Sequence, residues 1–300
     1  MDCATQDYCA YGLSFRSEVP LPDVRLAVTP DAPDVVVRRA SLAGTEFDSV
    51  DTGVFWKTAP GKFRIDIDDV ASYLVLDGRE ILVDALPSAS DTDVALFLMG
   101  SVTGALLHQR GFWPLHASAV NTSNGAVLFA GRSGAGKSML MAGLNHRGFE
   151  AISDDISAIV SSPDSQIAVM PAVPRVKVCE DAAEYFGINT TALQQVTSRR
   201  KFIAPIENYA SQATPIRRIV FLGFTTEESC NLSDVAGAEA ITHLTQSTYR
   251  RKFMKGLGLH ASHFPLLSSV AKTIPLSVLR RPEKLSAIGQ TLDRLETLLG

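Results

Sequence analysis

Over the first ninety residues, hydrophobic and polar positions alternate in short runs. Asp34-Val-Val-Val-Arg38, Val54-Phe-Trp-Lys57 and Lys62-Phe-Arg-Ile-Asp-Ile67 are brief, rich in β-branched and aromatic residues, and bounded by Gly, Pro or Asp, which predicts strands. Ser72–Leu76 and Arg79–Val83 flank Asp77-Gly78, a pair suited to a type I′ turn, so this stretch predicts a hairpin. From Asp91 the period changes: Val94, Leu98, Val102 and Leu106 recur at helical spacing, with Asp91-Thr-Asp opening the helix and Gly111 ending it. Strands then alternate with helices. The pattern predicts strands near 115–120, 125–130 and 150–153, a helix from 137, a buried strand over Arg217–Phe224, and helices from about Gly237 broken at Pro265 and near Pro275. This alternation predicts an α/β architecture over 105–300. Residues 1–104 read as an N-terminal antiparallel β-rich accessory domain.

Composition narrows the class. The chain has 300 residues, 46% apolar and 20% charged, which places it among globular proteins of one large or two ordinary domains. With 28 basic and 32 acidic side chains the net charge is −4, which argues against a dedicated nucleic-acid binder. The charge is uneven: residues 1–115 carry net −8 and residues 116–300 net +4. Cys3, Cys9, Cys179 and Cys230 form no CxxC pair and no zinc spacing. The N-terminus shows no basic region followed by an apolar stretch, and Val94–Leu107 is too short to span a bilayer. The expectation is a soluble, cytoplasmic protein with neither a membrane nor a nucleic-acid partner; a homo-oligomer stays open.

The most specific signal is a phosphate loop. Gly125-Ala-Val-Leu-Phe-Ala130 leads into Gly131-Arg-Ser-Gly-Ala-Gly136-Lys137-Ser138, which is GxxxxGK[ST] after an apolar strand and at the start of a helix. Glycines let backbone N–H groups turn inward around phosphates, and the helix N-terminus adds positive potential. Lys137 reaches the outer phosphates, and the Ser138 hydroxyl suits Mg²⁺. The candidate nucleotide-binding residues are Gly131, Arg132, Ser133, Gly134, Ala135, Gly136, Lys137, Ser138 and Met139.

A conventional P-loop ATPase or GTPase also needs an apolar strand ending in Asp. The obvious later strand ends Leu222-Gly-Phe-Thr225, and no Asn-Lys-x-Asp motif exists, which disfavours a switch GTPase. Asp154 and Asp155 fill the place. They follow Arg147–Ser153, the strand after the P-loop helix, whose end comes beside the loop when the two strands are parallel neighbours. Such a pair also suits a helix cap or turn. Beside a P-loop the chemical reading is preferred: one carboxylate holds metal and the other accepts a proton. His116, at the start of the preceding strand, is structural or chemical on position alone. Arg199-Arg-Lys201, in a predicted loop, reads as a solvated turn or as a clamp for phosphate or a substrate carboxylate. Arg250-Arg-Lys252, on a predicted helix, reads first as a charged face. Arg200, Lys201 and Arg250 are therefore secondary candidates. The Phe and Leu residues of 253–267 read as core, and Cys179 as a packed thiol.

Taken together, His116, the P-loop and Asp154-Asp155 resemble the catalytic domain of bacterial HPr kinase/phosphorylase. That family carries His-Gly-x-Leu-Val, Gly-x-Ser-Gly-x-Gly-Lys-Ser and Arg-Gly-His-x-Leu-x-Ala-Asp-Asp. Here His116 precedes Gly131 by fifteen positions and Asp154 follows Lys137 by seventeen, as in the family. The resemblance covers residues 115–155. It implies a fold shared with phosphoenolpyruvate carboxykinase and an ATP- and Mg²⁺-dependent serine kinase. By the same resemblance Asp154 is the base that deprotonates the substrate serine, Asp155 assists at the metal with Ser138, and His116 modulates the aspartate. Met139 stands where the family has Glu, and Pro174-Arg-Val-Lys-Val178 occupies the region of its Glu-x-Arg-Gly-x-Gly segment. Pro174–Val178, Tyr249-Arg250 and Ala271–Leu276 resemble instead a divergent branch found with ribosomally made peptides, including lasso peptides, which phosphorylates a serine of the precursor. The expectation is transfer of the ATP γ-phosphoryl group to a Ser or Thr hydroxyl of a peptide or small protein. A small-molecule kinase on the same fold and a non-catalytic nucleotide sensor are the alternatives.

Overall fold

The computed structural model describes residues 5–27, 32–161, 166–196 and 201–299; Cys3, Arg199 and Arg200 lie outside them. Two compact units emerge: Met1–Pro114 with Tyr249–Pro265, and Leu115–Thr248 with Leu266–Gly300. The sequence draws one boundary, at 104/105. The units change over at 114/115, and the first also takes in 249–265. Phe253 accounts for that return: it is buried, with its ring centroid 4.5 Å from Phe63 and 5.1 Å from Trp56.

The first unit contains β1 (Gln6–Ala10), β2 (Leu13–Ser17), β3 (Arg25–Leu26), β4 (Val35–Arg39), β5 (Asp51–Thr52), β6 (Trp56–Ala59), β7 (Lys62–Ile67), β8 (Ala71–Leu76) and β9 (Glu80–Ala85). They form one sheet in the order β3-β1-β2-β4-β9-β8-β7-β6-β5. The sheet is mixed, not antiparallel as the sequence suggests, because β4 runs parallel to both β2 and β9. Long connections lead into and out of β4, and parallel neighbours require such connections where hairpins do not. The β8–β9 hairpin turns at Asp77-Gly78, both at positive φ (48° and 64°), and the Arg79 N–H donates to the Leu76 carbonyl at 2.9 Å. Its ladder closes one residue later than a two-residue loop would give, pairing Leu76 with Glu80. The outer strands β3 and β5 have two residues each, the short edges that resist pairing with another chain.

Ser90 caps α1 (Asp91–Phe97) by accepting from the Asp93 N–H at 3.1 Å. The single helix read from the sequence is interrupted: Leu98–Val102 forms a π-helical turn in which Gly100 leaves helical angles (φ −106°, ψ −108°), and α2 (Thr103–Gln109) follows. His108, in α2, is 3% exposed, with Nε2 2.8 Å from the Tyr249 carbonyl oxygen. Burial pushes its pKa down to about 4, against the hydrogen bond to Tyr249. Below pH 6.5 the unfolded imidazole takes a proton that the folded one refuses, so stability falls as pH drops from 6.5 to 4. The loss attributable to His108 is about 3 kcal/mol. Urea denaturation at pH 7 and pH 4.5 checks this: His108→Gln should show a shallower pH dependence than the wild type, and equal slopes would contradict it.

The short strand β10 (Trp113–Leu115) carries the chain into the second unit. There follow β11 (Ala117–Thr122), β12 (Gly125–Ala130), α3 (Lys137–His146), β13 (Glu150–Ser153), β14 (Ser157–Ser161), β15 (Ile167–Met170), β16 (Arg175–Cys179), α4 (Glu180–Tyr185), β17 (Gln195–Val196), β18 (Lys201–Pro205), β19 (Thr214–Thr225), β20 (Asn231–Asp234) and α5 (Gly237–Ser247). The chain ends with α6 (His260–Thr273), β21 (Leu276–Pro282) and α7 (Ile288–Leu299). Helix α6 runs through Pro265, where the sequence suggests a break, and so forgoes the one hydrogen bond that proline cannot donate. Of the apolar residues read as core there, Phe253, Leu257 and Leu267 are buried, but Phe264 is exposed.

In the main sheet β12 lies between β19, its parallel neighbour, and β11, which is antiparallel to it. β13 pairs antiparallel with the far side of β11. The sequence reading makes β13 the direct parallel neighbour of β12; instead β11 lies between them. Both oppose β11, so β12 and β13 run the same way and end at the same edge of the sheet. β21 extends the sheet parallel to β19, and β16-β18-β17 form a separate antiparallel sheet. Helices α3 and α7 share the core with the main sheet through Phe129, Leu140, Leu144, Val220, Leu292 and Leu295. Gly143 permits their close approach, since a Cβ there would stand 2.7 Å from the Leu292 side chain. Among the described residues, no helix is long and apolar enough to cross a membrane.

Candidate active site

The chain leaves β12 at Ala130 and enters α3 at Lys137 through Gly131–Gly136. Gly131, Gly134 and Gly136 take φ of 146°, 90° and 98°, a region L side chains rarely adopt. At Gly136 a side chain is excluded twice over, because a Cβ would also lie 2.4 Å from Arg281 Nη2. Lys137 is 6% exposed and turns back over the loop: Nζ donates to the Gly131 and Arg132 carbonyls at 2.9 and 3.0 Å. Burial lowers its pKa to about 8, opposed by the charges of Asp154 and Asp155. This is a desolvated ammonium that an arriving anion would stabilise.

The two aspartates at the end of β13 have different surroundings. Both oxygens of Asp154 are occupied: Oδ1 accepts from the Ser118 hydroxyl at 2.6 Å, and Oδ2 from the Lys177 backbone N–H at 2.9 Å. Asp154 thereby ties the end of β13 to the start of β11 and the middle of β16. Asp155 takes φ 69° and directs its carboxylate into a cavity. There Oδ2 lies 2.8 Å from Lys177 Nζ and Oδ1 3.3 Å from His116 Nδ1, while the same Nδ1 is 2.9 Å from the Asp155 carbonyl oxygen. Burial raises the Asp155 pKa, but Lys177 and then His116 outweigh it and hold the carboxyl well below the usual carboxylate range. The sequence reading gives the base to Asp154 and the metal to Asp155; in the structure Asp155 lines the cavity, while Asp154, held by Ser118 and Lys177, acts with it on the Lys137 ammonium.

That space is a cavity of about 560 Å³, within the range of small-molecule sites. Ser133, Gly134, Gly136, Lys137, Ser138 and Met139 of the loop and helix start line it, together with His116, Asp155, Lys177 and Lys201. Lys137, Lys177, Lys201 and Arg281 put four cations around it, against Asp155, Asp181 and Glu283. Lys201 opens β18, not a loop, in register with Cys179. Arg200 lies outside the described residues. Arg250 belongs to the first unit, at φ 50° ahead of a 3₁₀ turn, not on a regular helix, with its guanidinium 5.6 Å from the centroid of the Tyr249 ring. Cys179 is exposed at the cavity and is not a packed core thiol. Arg132 faces a second cleft with Phe221, His243 and Arg280, and Ser133 and His116 border both spaces.

Lys177 and Arg281 join the site without having been singled out in the sequence. The alternation of Arg175-Val-Lys177 on a strand carries a faint signal, since i and i+2 share a face. Arg281 carries none: it is 2% exposed on β21, and its Nη2 donates to the Ala135 carbonyl of the loop at 3.1 Å.

No family model matches the chain, and no curated protein does. Among solved structures the chain is similar to the HPr(Ser) kinase/phosphatase from Coxiella burnetii, at 15% identity and a TM-score of 0.32, over 62% of this chain and 96% of that one.

Proposed function

We propose that this protein is a kinase that transfers the γ-phosphoryl group of ATP to a serine or threonine hydroxyl of a peptide or small protein. The observation that carries the reading is that Lys137 and Ser138 of the glycine loop and the Asp155–His116 pair face one cavity. The loop N–H groups and Lys137 would take the nucleotide phosphates. Ser138 would hold Mg²⁺ together with phosphate oxygens and water, and the cation supplies neutralisation of charge on the β/γ-oxygens.

In the transfer, the acceptor hydroxyl oxygen bonds to the γ-phosphorus as the bond from that phosphorus to the β,γ-bridging oxygen breaks, and the hydroxyl proton passes to Asp155. His116 donates to the Asp155 carbonyl and fixes the residue in its left-handed backbone conformation. Lys177 keeps the carboxylate ionised at neutral pH. Because the transition state is loose, a carboxylate that is ionised at neutral pH and orients the hydroxyl suffices to take the proton as it is released, weak base though it is. Asp154, with Ser118 and the Lys177 amide, positions this constellation.

A flexible acceptor peptide accords with the net +4 of residues 116–300, which favours an acidic partner, and with the resemblance to the peptide-associated branch. The two-residue edges of the first sheet lend no support to strand addition there. The test incubates the protein, Mg²⁺ and ATP with folded HPr, with free serine and with a serine-bearing ribosomal precursor peptide, and reads mass. A gain of one phosphate on the peptide alone is expected. Phosphorylated HPr or free serine with the peptide untouched overturns the acceptor assignment.

A further inference from the structure

The second cleft, of about 630 Å³, lies in the same unit as the catalytic cavity and has no part in the chemistry above. Strand alternation helps to build it. On β21 Arg281 lines the first cavity, while Val278 and Arg280, two positions apart, line the cleft. Helix α5 contributes His243, Gln246 and Ser247, which at i, i+3 and i+4 share one helix face. Arg132 comes from the phosphate loop.

The charge of this cleft has one sign. Arg132, Arg280 and the imidazoles of His116 and His243 line it, and among the described residues no Asp or Glu does. Arg132 and Arg280 are exposed, and neither guanidinium has an acidic partner among the described residues. His243 has one outside the cleft, with Nε2 3.7 Å from Glu239 Oε1. The His243 ring stacks on Phe221 at 4.7 Å and 19°, and Phe221 is buried, so the imidazole lies flat on a fixed base. A lone surface arginine is satisfied by water. Two arginines brought from a loop and a distant strand into one recess instead focus a positive potential there, which an arriving carboxylate relieves. His116 links this recess to the chemistry, because it lines both spaces and its Nδ1 lies 3.3 Å from Asp155 Oδ1.

We propose that this cleft binds an acidic segment of the acceptor peptide. Arg280 and Arg132, with His243, take the side-chain carboxylate of an Asp or Glu close to the acceptor serine, whose hydroxyl reaches Asp155 past His116. The inference rests on the kinase reading above, and it gives a place and named residues to an acidic preference that the reading draws only from net charge.

Three peptides with blocked termini test it: one serine flanked by glutamates, by glutamines or by lysines. Each is assayed for binding by fluorescence anisotropy and, with Mg²⁺ and ATP, for phosphate gain by mass. The wild type should favour the glutamate over the glutamine peptide about fivefold to tenfold in kcat/KM, chiefly through KM, the scale of two partly exposed charge pairs. Added salt should shrink that preference. Arg280→Gln should lose most of it while kcat, the KM for ATP and turnover of the glutamine peptide hold, a split that general loss of structure does not produce. Arg280→Glu should move the preference toward the lysine peptide. If the wild type phosphorylates all three peptides alike, or its preference survives in Arg280→Gln, the cleft assignment is wrong and the kinase reading stands. If the glutamate peptide binds through Arg280 yet no peptide gains phosphate, the kinase reading falls and the acidic-segment site stands. If no peptide binds and none is phosphorylated, both fall.

Discussion

Asp155→Asn is expected to lower single-turnover phosphoryl transfer by a factor of roughly 10² or more while nucleotide still binds. The substitution preserves shape and removes the carboxylate that faces the cavity beside His116 and Lys177. It also strips Lys177 of its partner at 2.8 Å, which adds positive charge beside the phosphates, so nucleotide affinity should hold or rise. Asp154→Asn supplies the contrast. Both Asp154 oxygens are already committed, to Ser118 and to the Lys177 amide, so its loss should show first as reduced thermal stability. Rapid-quench measurement at saturating Mg²⁺ and ATP distinguishes them: full activity in Asp155→Asn with a collapse in Asp154→Asn would return the base to Asp154.

Lys137→Ala is expected to weaken Mg²⁺-nucleotide binding by about tenfold or more, because a charge-assisted contact to phosphate is worth about 1.5–3 kcal/mol. The sign of the pH dependence follows from the lysine's pKa of about 8. A bound phosphate raises that pKa further, so binding takes up a proton above pH 8, and affinity falls as pH rises through and beyond that value. Titration of a fluorescent ATP analogue from pH 7 to pH 9.5 reads both effects. In Lys137→Ala this part of the pH dependence should vanish along with the affinity.

The parts of the site carried by one continuous segment were legible in the sequence. Gly131–Ser138 is such a segment, since a glycine loop between an apolar strand and a helix fixes its own geometry, and positive φ at Gly131, Gly134 and Gly136 is what the spacing requires. Strand periods placed β7, β12, β13 and β19 within a residue or a few of their positions. Relations between distant segments were not legible. Nothing in the local pattern says that β11 inserts between β12 and β13, or that β4 runs parallel to its neighbours, because pairing partners are chosen by the whole sheet. The roles within Asp154-Asp155 depend on Ser118 and Lys177, which approach from 36 and 23 residues away. Arg281 reaches the loop from 146 residues further along the chain. Cys179 looked like core because thiols usually are, yet it ends a strand at the cavity, where packing on one side suffices.

The central claim is that Gly131–Ser138 wraps the phosphates of a Mg²⁺-nucleotide whose outer phosphate points toward Asp155. A crystal structure of the protein grown with Mg²⁺ and a non-hydrolysable ATP analogue tests it most directly. The expected result has Lys137 Nζ released from the Gly131 and Arg132 carbonyls onto the outer phosphate, with the γ-phosphorus on the Asp155 side of the cavity. A nucleotide bound elsewhere, with Lys137 still folded back on its own loop, would contradict the account.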